Sequence, residues 1–156
     1  MAAKIFHWTF PLFLIVLALI IGGACYQTIS IVPFWQKDIL MFKNYGHWGM
    51  NYFPLLTPLM IVLWLMLVVT GFKMKLPGKR TLNLGHCLFL LWLGTYAFFA
   101  PLLMNYMGHP EKNISETELS AMLATWAKWD LIRQIVGVVM LSLYIYAYRK
   151  TASVIS

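Results

Sequence analysis

The chain has 156 residues, 61% of them hydrophobic and only 11% charged, with a formal net charge of +7 at pH 7. That length suits one domain, and a soluble domain would carry roughly a quarter charged residues. So much apolar side chain cannot be hidden from water at this size, which excludes a free globule, and two cysteines exclude a disulfide scaffold.

The first element is the apolar stretch from Ile5 to about Val32. It is longer than the core of a signal peptide, which runs to about 15 residues, so a retained first helix over about 8–31 is expected. Within it, Ala18 and Gly22 stand four apart, a spacing that allows close helix contact. Gly23, Tyr26 or Gln27, and Ser30 trace one stripe expected to face the interior. Pro33 is expected to end the helix before Trp35.

A second apolar segment, about 53–72, begins with Pro54 and Pro58, which loosen its first turns. A short basic link, Lys73 to Asn83, contains the turn signal Pro77-Gly78 and makes the flanking spans antiparallel neighbours. A third segment follows over about 84–104, with Asn105 at its border. Ser115-Glu-Thr-Glu118 fits a capping box, so a helix should start near 116 and run into a fourth segment at about 131–148. Each segment meets the roughly 20 apolar residues that a spanning helix needs, and in lipid each must be helical.

The distribution of charge sets the orientation. Lys4, Lys73, Lys75, Lys79, Arg80, Arg149 and Lys150 fall on one side of the four spans with no acid. Lys37, Lys43, Lys112, Lys128 and Arg133 fall on the other, with Asp38, Glu111, Glu116, Glu118 and Asp130. By the positive-inside rule the first side is cytoplasmic. The expected fold is therefore all-α: an integral membrane four-helix bundle with both termini in the cytoplasm, multi-pass in a bacterial inner membrane. The basic residues are then topology signals and contacts to lipid headgroups, and nucleic acid is not an expected partner.

Residues with chemistry gather toward the outer end. His47 and His109 lie in the outer loops, where they are weak candidates for a metal site with Asp38, Glu111 or Asp130; no ligand spacing supports one, and no metal is expected. Cys25 and Cys87 differ in depth by roughly 20 Å, beyond disulfide reach, and are expected to be reduced core residues. On span four, Trp126, Trp129 or Asp130, and Arg133 recur at helical spacing. Arg133 is the deepest charge, and an ionisable group at membrane depth is a functional candidate whose nearest partner in sequence is Asp130. An outer cavity lined by Tyr26, Trp35, His47, Asn105, Trp129 and Arg133 is expected.

Taken in order, Gly22-Gly-Ala-Cys-Tyr-Gln-Thr-Ile-Ser-Ile-Val-Pro33-Phe-Trp35, Ala100-Pro-Leu-Leu-Met-Asn105, and Trp126 and Trp129 with Arg133 resemble a family of small four-span membrane proteins. It is the family of unknown-function domains that includes the fungal anthrone oxygenases. The resemblance implies a four-helix membrane bundle and, for some members, oxygenation of an anthrone-type polyketide to a quinone with no cofactor motif. It marks Tyr26, Pro33, Trp35, Asn105, Trp129 and Arg133 as family-pattern positions and assigns none of them a catalytic role. His47 is the candidate base, since cofactor-free oxygenation needs a base and a dry aromatic pocket. The sequence requires no cofactor. The expected partners are the bilayer and a small hydrophobic molecule, or alternatively a membrane protein or second copy for which this chain is an accessory subunit.

Overall fold

The computed structural model describes residues 2–38, 53–72, 74–107 and 115–155; for 2, 35–36, 53–54, 96–107 and 153–155 it describes the backbone alone. These residues are helical throughout apart from the turns, with no strand among them. Helix α1 runs Ala2–Tyr26 and passes through a π-helical turn, Gln27–Ile31, into α2, Val32–Lys37. Helix α3 is Phe53–Phe72, α4 is Lys79–Met107 and α5 is Glu116–Ile155. Among the described residues, three helical stretches are long and apolar enough to cross a membrane: Ala3–Phe34, Leu55–Phe72 and Glu116–Ala152. The expected segment at 84–104 lies inside α4.

The packing follows a seven-residue rhythm. On α5, positions 123, 130, 137, 144 and 151 are all buried, one face recurring every two turns. On α1, positions 6, 13, 20 and 27 and positions 10, 17 and 24 do the same. A strict seven-residue repeat is the signature of helices that wrap with a left-handed twist, side chains of one fitting between those of the next. Water is not driving this contact if lipid surrounds the bundle, so close fit and dispersion carry it. Aromatic side chains supply much of the fit: Phe10 and Phe13 both meet the Tyr144 ring edge-on, and Phe13 does the same to Phe89. Small residues admit these rings where backbones are near: a Cβ on Gly85 would stand 3.3 Å from the Tyr144 ring, and one on Gly137 3.2 Å from Trp92 Nε1.

The π turn breaks the rhythm of α1. Gln27 is the last buried member of the α1 series, but Thr28 beside it is buried too, and the next buried position is Val32. One extra residue in the turn advances the inward face by one position. The turn also disposes of Pro33, which opens α2 instead of ending the helix before Trp35 as expected. At the first positions of a helical segment, proline's missing N–H costs no hydrogen bond. The rod stops at Asp38, whose backbone is extended and whose N–H donates to Phe34 O at 3.0 Å.

Two other expectations need correction. Ala18 and Gly22 are exposed, and a Cβ on Gly22 would meet nothing within 4 Å, so this small-residue pair faces away from the bundle. Cys87 is exposed and Cys25 half-buried; both are free thiols, but Cys87 is not a core residue.

The bundle has two unlike ends. At one, the turn between α3 and α4 closes on Gly78 in left-handed backbone (φ 83°), and its Pro77 carbonyl accepts from Thr151 Oγ1 at 3.4 Å. Lys4, Lys75, Lys79, Arg80, Arg149 and Lys150 collect there with no described acid. At the other, α5 starts with the expected capping box: Glu118 N–H donates to Ser115 Oγ at 3.3 Å, and Ser115 N–H donates back to Glu118 Oε2 at 3.2 Å. With 40 residues, α5 is about 60 Å long, roughly twice the thickness of a bilayer's hydrocarbon core. Its first turns therefore form the helical extension that the sequence predicts ahead of span four.

Candidate functional site

Asp130 occupies a core position in the seven-residue series of α5, where an apolar side chain would ordinarily stand, and it is 4% exposed. A buried carboxylate is tolerated only when its oxygens are satisfied. Here three donors surround it. Arg133, one turn on, pairs with Oδ1; Gln134 Nε2 donates to the same oxygen at 3.2 Å; the Thr28 hydroxyl lies against Oδ2. Thr28 Oγ1 is also 2.9 Å from Ala24 O, and its single proton serves one acceptor at a time. Arg133 and Asp130 are both nearly sealed, with side chains 9% and 3% exposed. Through Oδ1, Asp130 holds the Arg133 guanidinium beside it.

Asp130 and Arg133 border a cavity of about 230 Å³ between α4 and α5, whose accessible lining is almost wholly apolar. Trp92, Thr95 and Leu88 contribute from α4; Trp126, Trp129 and Val136 join Asp130 and Arg133 from α5. The space exceeds the roughly 150 Å³ that accepts a benzene and falls short of the ~300 Å³ at which drug-sized pockets begin. One or two aromatic rings match it. The lining is apolar apart from the ion pair and the Thr95 hydroxyl, whose proton goes to Trp92 O at 2.7 Å and leaves its oxygen free to accept. At the rim, Leu91 and Ile132 are exposed, so the cavity opens sideways from the bundle. Chemically, such a space can stack a planar ring on indole and direct an acceptor oxygen of that ring at a guanidinium.

Of the residues expected at a site, Trp129, Asp130 and Arg133 converge here. Tyr26 does not: it is 64% exposed and faces outward, while Gln27 takes the inward place. The stripe of Gly23, Tyr26 or Gln27, and Ser30 left that choice open, and the α1 rhythm selects Gln27. Trp35 and Asn105 lie in α2 and in the last turn of α4, described as backbone only. His47 and His109 lie outside the described residues. No group of three metal-binding side chains occurs among the described residues. Thr28, Trp92, Thr95 and Gln134 were not expected. Gln134 was discoverable, since it stands four residues beyond Asp130, and so was Thr28, which stands seven residues beyond Ile21 and four beyond Ala24.

A second polar cluster lies at the basic end. Trp64 Nε1 of α3 donates to His86 Nδ1 of α4 at 3.0 Å, and the Tyr144 hydroxyl of α5 is 2.8 Å from the same nitrogen. Trp64 stacks on Phe89 with ring centroids 5.0 Å apart. These large side chains bridge α3 and α4.

The chain matches no protein-family profile, no curated protein and no solved structure.

Proposed function

We propose that this chain is a four-span membrane protein, with α1, α3, α4 and α5 each crossing the bilayer once. In this reading it holds a small aromatic molecule bearing an acceptor oxygen in the cavity beside Asp130 and Arg133. The observation that carries the reading is a buried ion pair on the wall of an otherwise aromatic and apolar cavity. An intramembrane charge is costly, and its retention beside an open space points to use. The fourth span is α4 over about 84–104. Both termini lie on the cytoplasmic side of a bacterial inner membrane, supported by the gathering of basic residues at one end. The resemblance to the anthrone-oxygenase family adds oxidation of the bound molecule by dioxygen as the activity to assay, with His47 as candidate base.

The test is purification in mild detergent followed by mass spectrometry of extracted small molecules, for the wild type and Arg133→Ala. A co-purifying phenol, ketone or quinone that is lost in the variant supports the reading; identical extracts refute it. Oxygen uptake on hydroxylated anthrones, with His47→Ala and Arg133→Ala as controls, then tests the oxidation.

A second reading, an accessory subunit that packs on a membrane partner or on a second copy, is favoured by the outward face of Ala18 and Gly22. Among the described residues nothing lies within 4 Å of where a Gly22 Cβ would stand, and small residues at this spacing suit a neighbouring helix. A partner recovered at constant stoichiometry would support this reading over the first.

A further inference from the structure

The seam between α3 and α4 differs from the others in the bundle. Gly71 of α3 sits against Phe6 of α1, and Gly85 of α4 against Tyr144 of α5. Toward α4 the approach of Gly71 is looser, with Leu82 Cδ2 3.7 Å from where its Cβ would stand, and Trp64, His86 and Phe89 fill the seam between α3 and α4. On α4, Lys79, Asn83 and His86 recur at helical spacing on one face. Lys79 Nζ reaches Phe72 O of α3 at 3.3 Å and lies over the Phe72 ring, so this face borders the seam. Phe72 is 81% exposed and Asn83 is exposed, so the seam is open from the side.

His86 is fixed in one tautomer. A ring nitrogen that accepts a hydrogen bond carries no proton, so with Trp64 donating to Nδ1 the imidazole proton is on Nε2. Nε2 has no hydrogen-bond partner among the described residues, and it is not enclosed by the protein. A donor at this depth, in lipid rather than water, needs an acceptor from beyond the described residues. Nearer the end of the bundle, Lys75 and Arg80 are exposed cations with no described acid beside them. Arg80 precedes His86 by six residues, about 9 Å along the helix and about 120° around it.

We propose that this seam is a binding site for an anionic phospholipid, with the phosphate at Lys75 and Arg80 and an acyl ester carbonyl accepting from His86 Nε2. Cations nearer the end of the bundle and a donor deeper beside an apolar groove match the order in depth of phosphate and ester groups in such a lipid. The inference does not depend on the cavity at Asp130 or on an enzymatic activity.

The test is native mass spectrometry of the full chain in detergent with defined synthetic lipids. Two exposed cations predict that phosphatidylglycerol binds about tenfold more tightly than phosphatidylcholine. The ester contact predicts that ether-linked phosphatidylglycerol, which has no acyl carbonyl, binds about three- to tenfold more weakly than the ester form. His86→Phe should abolish the ester–ether difference and keep the charge preference. Lys75→Gln/Arg80→Gln, both at exposed positions, should do the reverse. Equal binding of the ester and ether lipids to the wild type overturns the proposal, as does equal binding of the anionic and zwitterionic lipids. A short-chain ubiquinone that displaces phosphatidylglycerol from the wild type but not from His86→Phe would assign the donor to a quinone and overturn it too.

Discussion

The Thr28 hydroxyl meets the carboxylate of Asp130 across 102 residues of chain, joining the π turn of the first rod to the core face of α5. This contact ties the end of the first rod to the helix that carries the candidate site. Thr28 faces inward because it stands seven residues beyond Ile21 and four beyond Ala24, both buried on α1.

Removing one partner of the ion pair should cost more than removing both. Arg133→Leu leaves Asp130 buried with fewer donors, and Asp130→Leu strands the guanidinium; each should lower stability by about 3–5 kcal/mol. The double variant Asp130→Leu/Arg133→Leu should recover much of that loss. Thermal unfolding in detergent, followed by circular dichroism over the four proteins of the cycle, measures the coupling.

Gly137 keeps the cavity open. A Cβ there would stand 3.2 Å from Trp92 Nε1 and 3.4 Å from Ile21 Cγ1. Gly137→Leu should destabilise by about 1–3 kcal/mol and force Trp92 into the cavity. A lower melting temperature, together with loss of any ligand that co-purifies with the wild type, is the expected result.

How much of this was legible beforehand depends on the kind of signal. Apolar runs are long and redundant, so the helical segments and the basic link could be read directly. The capping box at Ser115 and Glu118 is a local rule, and it holds atom by atom. The pairing of Arg133 with Asp130 followed from one turn of spacing. Tyr26 was misplaced because the stripe in span one left Tyr26 and Gln27 equally open, and only the seven-residue series 6, 13, 20 and 27 selects Gln27. The Trp64–His86–Tyr144 cluster went unseen because it joins three helices, and spacing within one helix says nothing about neighbours.

His86 should be replaceable only by a side chain that can accept. His86→Phe leaves the Trp64 N–H and the Tyr144 hydroxyl without their shared acceptor and should cost about 1–3 kcal/mol. Tyr144→Phe removes one donor and leaves Trp64 bonded, so it should cost about 0.5–1.5 kcal/mol. Chemical or thermal unfolding of the two variants side by side checks the ranking.

The turn at the basic end depends on glycine. Gly78 has φ 83°, and Lys150 Cβ lies 3.4 Å from where its own Cβ would be. Gly78→Ala should cost about 1–2 kcal/mol from backbone handedness, and Gly78→Asn less. Melting temperatures in the order wild type, Gly78→Asn, Gly78→Ala would bear this out; an unchanged Gly78→Ala would refute it.

The extra residue in the first rod also makes the protein sensitive to length rather than composition at one place. Deleting Ile29 would let the coil close into an ordinary helix with better hydrogen bonds of its own. Everything beyond the deletion would then be rotated by roughly 100° relative to its neighbours. Such a chain would gain regularity locally and lose the alignment between α2 and the beginning of α5, so the less regular turn is the one that lets these two rods meet.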